Sequence, residues 1–449
     1  MTTDDLLKPT APAARPGTSA ALRPVLLRLH FYAGVLVGPF LLVAAITGLL
    51  YALAPQLEQA VYDHELHVPA GTTTRPLAEQ VAVAASAVPG GTLYGVRPGP
   101  TDTDTTQVAF TVEGLPESHY RTAFVNPYDG ELRGVLDTYG SAGALPIRGW
   151  LDTLHRNLHL GDAGRIYSEL AASWLWVVVA GGLVLWWGRR RRRTGPGRAR
   201  TLSWHATTGT WVAIVLFFLS ATGLTWSQFA GQNITELRTA LSWETPSVPA
   251  ELPAPSGPPG LAAGVGTDFD TGIDEALAAA RTVGLDNPVE ITPPGAGTGW
   301  VVKQIQRSWP EKQDSAAIDP ATGQVVDVLR FDDWPLAAKL ARWGIDAHMG
   351  LLFGAANQVV LAVVMLALIA LVVWGYRMWW QRRPTGRRFG RPIPRGALRR
   401  LPMRVLVPLS AAGIVAGWFL PVFGLSLLAF LLVDAAVAAR AERVTTSGG

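Results

Sequence analysis

The sequence predicts an α-helical membrane protein: a four-helix transmembrane bundle built as a tandem repeat, a fifth C-terminal span, and two small α+β modules outside the membrane. Three observations carry this prediction: apolar stretches of membrane-spanning length, arginine runs confined to two short loops, and landmarks that recur at a fixed offset. Of 449 residues, 49% are hydrophobic and 16% charged, too apolar for an ordinary soluble enzyme and too charged for a chain lying wholly in lipid. The absence of cysteine excludes disulfides, thiolate zinc sites, cysteine-bound iron–sulfur clusters and covalently attached c-type haem. Metal chemistry then falls to His, Asp, Glu, Met and Tyr.

Five apolar stretches, 29–54, 171–188, 204–229, 349–376 and 405–433, approach or exceed the roughly 20 residues a helix needs to cross about 30 Å of hydrocarbon. The first is too long for a signal-peptide core, and Pro55 directly after Ala52-Leu53-Ala54 makes a poor cleavage site, so it is predicted to stay as a span. Arginine sets the orientation, because short basic loops stay in the cytoplasm. Residues 189–193 are all Arg, with Arg198 and Arg200 close behind, and 381–404 hold nine Arg and no acid. The long segments lean the other way: 54–168 carries 13 Asp/Glu against seven Arg, and 226–347 carries 16 against eight Lys/Arg.

The predicted order is a cytoplasmic tail at 1–23, spans at 24–54, 169–188, 204–229, 348–380 and 405–437, cytoplasmic loops at 189–203 and 381–404, outer segments at 55–168 and 230–347, and a tail at 438–449. Pro408 and Pro421 leave 405–437 open to one kinked crossing or a shallow hairpin; one crossing, with the tail outside, is expected. The pI near 9.5 then reports topology and contact with an anionic lipid bilayer rather than with nucleic acid, for which no motif accompanies the arginines.

Self-similarity links the halves. His30, Gly34 and Thr47-Gly48-Leu49 match His205, Gly209 and Thr222-Gly223-Leu224 at an offset of 175, with a spacing of 17 from His to Thr in both. Asn126-Pro127-x-x-Gly130, Trp150, His155, Gly161 and Trp186-Trp187 match Asp319-Pro320-x-x-Gly323, Trp343, His348, Gly354 and Trp379-Trp380 at an offset of 193. The copies share one orientation and are expected to be related by an axis along the membrane normal. In each outer segment, the Pro-x-x-Gly element predicts strand, tight turn, strand. Helices at 77–87 and 274–282 are expected to cover the sheets, and 245–267, rich in Pro, Gly and Ala, reads as a linker.

This topology sorts the eight histidines. His30 and His205 begin outward-going spans, whereas His155 and His348 precede or begin returning ones, giving one pair for each face. Such pairs suit two b-type haems, each with axial imidazoles from two different helices, and intramembrane ionisable groups are functional candidates by default. Gly34 and Gly209, four residues after their histidines, would let a flat macrocycle approach the backbone. His159, four residues after His155, is an alternative ligand, but its counterpart is Leu352, so the repeat favours His155. Asp152 and Asp346 could orient the outer imidazoles, or be ordinary surface acids. Asp63-His64-Glu65-x-His67 fits a metal ion or, as the simpler reading, a solvated patch. His119 shows no partner, and Thr47-Gly48 and Thr222-Gly223 read as helix-packing positions. No phosphate loop, dinucleotide fingerprint, nucleophile elbow or zinc-protease motif is present.

These residues resemble the PepSY-associated transmembrane family, which includes bacterial inner-membrane ferrisiderophore reductases. The likeness rests on Leu29-His30-x-x-x-Gly34, Leu154-His155-x-x-Leu158-x-Leu160-Gly161, His205-x-x-x-Gly209, and His348-x-Gly350-x-x-x-Gly354 with Trp379-Trp380-x-Arg382-Arg383, and extends over about residues 24–435. The resemblance implies two PepSY-like extracytoplasmic modules and a multi-pass bacterial plasma-membrane protein carrying two bis-histidine haems b. It implies an oxidoreductase role in iron acquisition: electrons pass outward, from an unidentified cytoplasmic or quinol donor, to a ferric chelate or siderophore. On this reading His30 and His205 hold the cytoplasmic-side haem and His155 and His348 the outer one, with irons on the order of 20 Å apart across the bilayer core. Two other functions compete: a PepSY peptide- or protein-binding regulator, and a permease for iron, siderophore or haem. Trp300, Trp309, Lys303 and Arg307 are candidates, by residue type alone, to face an anionic chelate.

Overall fold

The computed structural model describes residues 18–188, 196–252, 272–383 and 401–446. The arginine run at 189–193, residues 384–400 of the second basic loop and 253–267 of the expected linker lie outside the described residues. The first half runs α1 (Thr18–Leu36), α2 (Gly38–Ala52), α3 (Ala54–Val61), α4 (Asp63–Leu66), α5 (Leu77–Ala87), β1 (Thr92–Arg97), β2 (Thr106–Thr111), β3 (His119–Val125), β4 (Leu132–Tyr139), α6 (Pro146–Asn157) and α7 (Gly161–Trp187). The second runs α8 (Arg198–Leu224), α9 (Phe229–Ala240), α10 (Ile273–Thr282), β5 (Val289–Thr292), β6 (Trp300–Gln304), β7 (Ser315–Ile318), β8 (Val325–Leu329), α11 (Leu336–His348) and α12 (Gly354–Trp380), followed by α13 (Met403–Phe419) and α14 (Pro421–Thr446). Contacts divide the chain into two compact units, one of Met1–Val43, Ile166–Asn233 and Ala367–Gly449, the other of Ala44–Arg165 and Ile234–Leu366.

In the first unit, α7, α8 and the Pro421–Arg440 part of α14 are long and apolar enough to cross a membrane. So is α12, which runs on into the second unit, and α1 with α2 passes the same test as a pair bent by 57°. The expected first span is therefore two helices with a bend between them. Pro39 has no N–H to return to the Val35 carbonyl, and the Tyr376 hydroxyl donates to that oxygen instead, at 2.6 Å. Gly38 makes room for the tyrosine, because an added Cβ would lie 3.3 Å from its ring. Glu169, buried on α7, accepts from the Phe229 and Ala230 amides at 2.9 and 3.0 Å and so caps α9 with a carboxylate at its positive end.

The C-terminal segment, expected to make one crossing at 405–437, is two helices. Helix α13 stops at Leu420, before Pro421, and the Gly424 backbone turns back against Gly417 so closely that a Cβ on Gly424 would lie 2.5 Å from the Gly417 carbonyl oxygen. Paired glycines permit that approach. Helix α14 then returns toward the start of α1: Trp174 donates to the Ser426 hydroxyl at 2.8 Å, Phe423 packs on Trp174, and Asp434 pairs with Arg28 near the beginning of α1. The two helices form a hairpin.

The second unit is built on one antiparallel eight-stranded sheet in the order β4-β3-β2-β1-β5-β6-β7-β8. The two modules expected from the sequence are its halves, joined where Val96 of β1 pairs with Ile291 of β5. Both Pro-x-x-Gly turns form as predicted: Gly130 and Gly323 take positive φ and donate to the Asn126 and Asp319 carbonyls at 3.0 and 2.8 Å. Helices α5 and α10 cover one face over a core of twenty buried residues that runs unbroken from Leu77 and Phe110 to Ile273 and Ile318. Asp274 of α10 accepts from the Leu77 and Ala78 amides and caps α5. Arg97 and Glu290 pair across the seam at 2.7 Å. Each large apolar side chain buried there is worth about 1.5–3 kcal/mol, against about 1 kcal/mol or less for a part-exposed ion pair, so the shared core holds the seam.

The hairpin carries a direct test. Reporter fusions at residue 18 and at the C-terminus should report the same side of the membrane; opposite sides would show that α13 and α14 form a single crossing.

Candidate functional site

Two histidine pairs stand out, one in each unit. In the first unit, the ring centres of His30 (α1) and His205 (α8) lie 6.2 Å apart, with planes at 79°. His30 Nδ1 donates to the Val178 carbonyl of α7 at 2.9 Å, and His205 Nδ1 donates to the Leu371 carbonyl of α12 at 3.0 Å. A carbonyl can only accept, so Nδ1 carries the proton in both rings and the Nε2 lone pair is left for a ligand. Val178 and Leu371 are 193 residues apart, the offset of the landmarks on those helices.

Glycines shape the surroundings. A Cβ on Gly182 would meet His30 Cε1 at 3.2 Å, and one on Gly375, again 193 residues on, would reach His205 Cε1 at 4.0 Å. Gly34 faces open space, and a Cβ on Gly209 would lie 3.6 Å from the Leu371 side chain. Both line an apolar cavity together with His30, His205, Phe31 and Trp379, and Arg198 and Arg382 also border it.

In the second unit, α6 carries His155 and α11 ends on His348. Neither residue sits on a long span, and His348 lies on the helix before the span that it was expected to begin. His348 is within electrostatic reach of His155. The Thr47 hydroxyl donates to the Ala44 carbonyl and accepts from His155 Nδ1 at 2.9 Å, which again leaves Nε2 as the free nitrogen. Gly48 admits the ring, since a Cβ there would lie 3.1 Å from His155 Cε1. Thr47-Gly48, read from sequence as a packing element, is thus also the seat of an imidazole. His159 is placed differently: it is exposed, its Nε2 bonds to the Trp150 carbonyl at 3.1 Å, and its ring lies on the Trp150 indole.

Buried ion pairs seat the two helices that carry these histidines. Glu58 of α3 accepts from the Leu145 amide at the start of α6 and pairs with Arg148 at 3.0 Å. Burial pushes its carboxyl above the usual range, partly offset by Arg148. On α11, Asp346 is fully buried and pairs with Arg307 and Arg342, while Arg342 also meets Glu311 at 2.7 Å. Asp152 lies in the field of Arg156 and Arg148. The two aspartates considered as imidazole partners face arginines instead. Truncating one member of such a buried pair strands the other, so these contacts fix helix position more than they add net stability.

The remaining candidates are otherwise engaged. His67 meets Asp104 at 3.0 Å and Gln59 at 2.8 Å, and His119 bonds the Glu117 carbonyl and lies beside Tyr139. Trp300 is in the sheet core, Arg307 is paired, and Trp309 is exposed. Lys303 is half-buried, and burial together with nearby Arg342 holds its ammonium below the usual lysine value. Among the described residues no group of three or more His, Cys, Asp or Glu gathers as a metal site; the candidate ligands come as imidazole pairs.

Sequence reasoning missed the carbonyl partners, the glycines at 182 and 375, and Thr47 as a positioning residue. The glycines carried a usable signal in their 193-residue offset; the carbonyls carried none, because every residue has one.

Burial pushes the Glu311 carboxyl up to about 7. A carboxyl raised in the folded state holds its proton after the unfolded chain has lost it, so stability falls as pH rises from about 4.5 toward 7. Glu311→Gln should flatten the melting temperature of the detergent-solubilised protein over that window; an unchanged slope would assign the pH dependence to another group.

The family model described as PepSY-associated TM region matches residues 27–382. No curated protein matches the sequence.

Proposed function

The chain belongs to the PepSY-associated TM family, and from that premise we propose that it is a haem b protein of the bacterial plasma membrane that carries electrons outward to a ferric chelate, with its N-terminus in the cytoplasm and its sheet outside. The observation that carries this reading is the His30/His205 pair: two imidazoles from different helices, each with Nδ1 held by a backbone carbonyl and Nε2 left free. The ring centres stand 6.2 Å apart, and the two imidazoles would hold a haem iron through the Nε2 atoms left free. The apolar cavity and the glycines facing it fit a flat, largely apolar ligand. His155 with His348 is the corresponding pair of the second unit. A tandem repeat accounts for the shared offsets of 175 and 193 in ligands, carbonyl partners and glycines.

Haem iron in such sites supplies one-electron transfer. The chain's own residues do the rest. Carbonyl and hydroxyl partners fix the tautomer and ring orientation of His30, His205 and His155. Apolar helix faces line the cavity, and the ion pairs of Glu58, Asp346 and Glu311 hold α6 and α11 in place. Ferric iron bound by a chelator is released more readily once reduced, which makes an outward-facing carrier useful for iron acquisition.

Protein purified in mild detergent after expression with haem supplied should show a Soret band. A colourless preparation would instead favour a peptide- or protein-binding regulator. His155→Ala should lose one of two haems and His159→Ala neither; the reverse result would reassign the ligand. Gly34→Leu, which keeps both imidazoles but fills open space in the cavity, should lower haem content at the His30/His205 site by about tenfold or more, a loss equivalent to about 1.4 kcal/mol. Full haem occupancy in that variant would show that the macrocycle lies elsewhere.

A further inference from the structure

We infer that Arg198 and Arg382 form a two-point carboxylate clamp at the cavity holding His30 and His205, and that it recognises the paired acid groups of a dicarboxylate macrocycle. The inference rests on the haem reading of this cavity and adds which edge of the ligand points where.

Both arginines line the cavity, Arg198 at the first residue of α8 and Arg382 just beyond the end of α12. They come from different helices yet lie close enough for their charges to oppose each other. Among the described residues neither has a carboxylate partner within ion-pair distance; Arg382 lies over the Phe31 ring at 5.9 Å. The adjoining loops cannot neutralise them either, because 189–203 and 381–404 contain no Asp or Glu.

Several other arginines are paired. Arg28 has Asp434, Arg97 has Glu290, Arg148 has Glu58, and Arg342 has Glu311. Arg198 is exposed and Arg382 half-buried, and two like charges at one cavity with no carboxylate partner among the described residues favour the arrival of an anion. Guanidinium matches a carboxylate in a two-pronged, charge-assisted geometry. A ligand that combines an apolar plane with two acid groups on one edge satisfies the whole lining: imidazoles for its metal, glycines and aromatics for its plane, arginines for its acids. Free phosphate, or the headgroup of an anionic lipid, would satisfy the arginines but leave the rest of the cavity unfilled.

The test uses full-length protein expressed without haem supply, carrying His155→Ala and His348→Ala so that one site remains. In lipid-free detergent it is titrated with haemin and with haemin dimethyl ester, whose acids are blocked, and the Soret shift is followed. Haemin should bind more tightly than the diester, by roughly tenfold for each arginine. Arg198→Gln with Arg382→Gln should bring haemin down to the diester level while leaving diester affinity unchanged, which also reports an intact cavity. Arg198→Lys with Arg382→Lys should keep most of the preference.

Equal binding of the two forms by the arginine protein would overturn the clamp and leave the haem reading standing, as would a preference that survives in the glutamine variant. If the glutamine variant binds neither form, the lysine variant decides, and loss of the preference there overturns the clamp. Absence of any Soret change in the arginine protein would overturn both.

Discussion

An imidazole placed in an apolar helix bundle has one N–H that must be satisfied, and no water to satisfy it. His30 and His205 direct that N–H at backbone carbonyls of α7 and α12. Several features follow from this choice. The helix facing His30 has to approach closely, so glycine stands at 182; the ring is fixed in one tautomer; and the second nitrogen is left pointing away from the backbone that holds the first. His155 solves the same problem with the Thr47 hydroxyl, which is available as an acceptor because its own proton goes to Ala44. Three of the four paired imidazoles are thus fixed by hydrogen-bond accounting, while buried charges such as Glu58, Glu169 and Asp346 seat α6, α9 and α11.

Much of the architecture could be read from the chain because it is written in side-chain type. Hydrophobic length gave the spans, the Asn126–Gly130 and Asp319–Gly323 turns formed where proline and glycine placed them, and the fixed offsets singled out the four histidines that the structure brings together in twos. Features that depend on backbone were hidden. The carbonyls of Val178 and Leu371 have no sequence mark, and the bend at Val37 needed both Pro39 and a tyrosine more than three hundred residues away to close its open acceptor. The C-terminal hairpin depends on Gly417 and Gly424 meeting across Pro421, which looks in sequence like an ordinary kinked span.

Edge pairing was equally hidden. Each module could have been an independent four-stranded sheet, and alternation along β1 or β5 does not say which strand lies beside it. The structure joins them at Val96 and Ile291 and places one core beneath both. The two modules, separated in sequence by α7, α8 and the linker, therefore share a single hydrophobic interior.

That shared interior has a consequence for how the protein is made. Strand β1 emerges complete at Arg97, but its neighbour β5 begins only at Val289, after two further membrane helices have been synthesised. Until then the first module offers an open strand edge and an uncovered apolar flank, the state in which sheet proteins are most prone to pair with a wrong partner. The long sequence separation also makes joining the halves a slow, late event. Biogenesis, rather than the finished fold, is where this chain is most exposed to error.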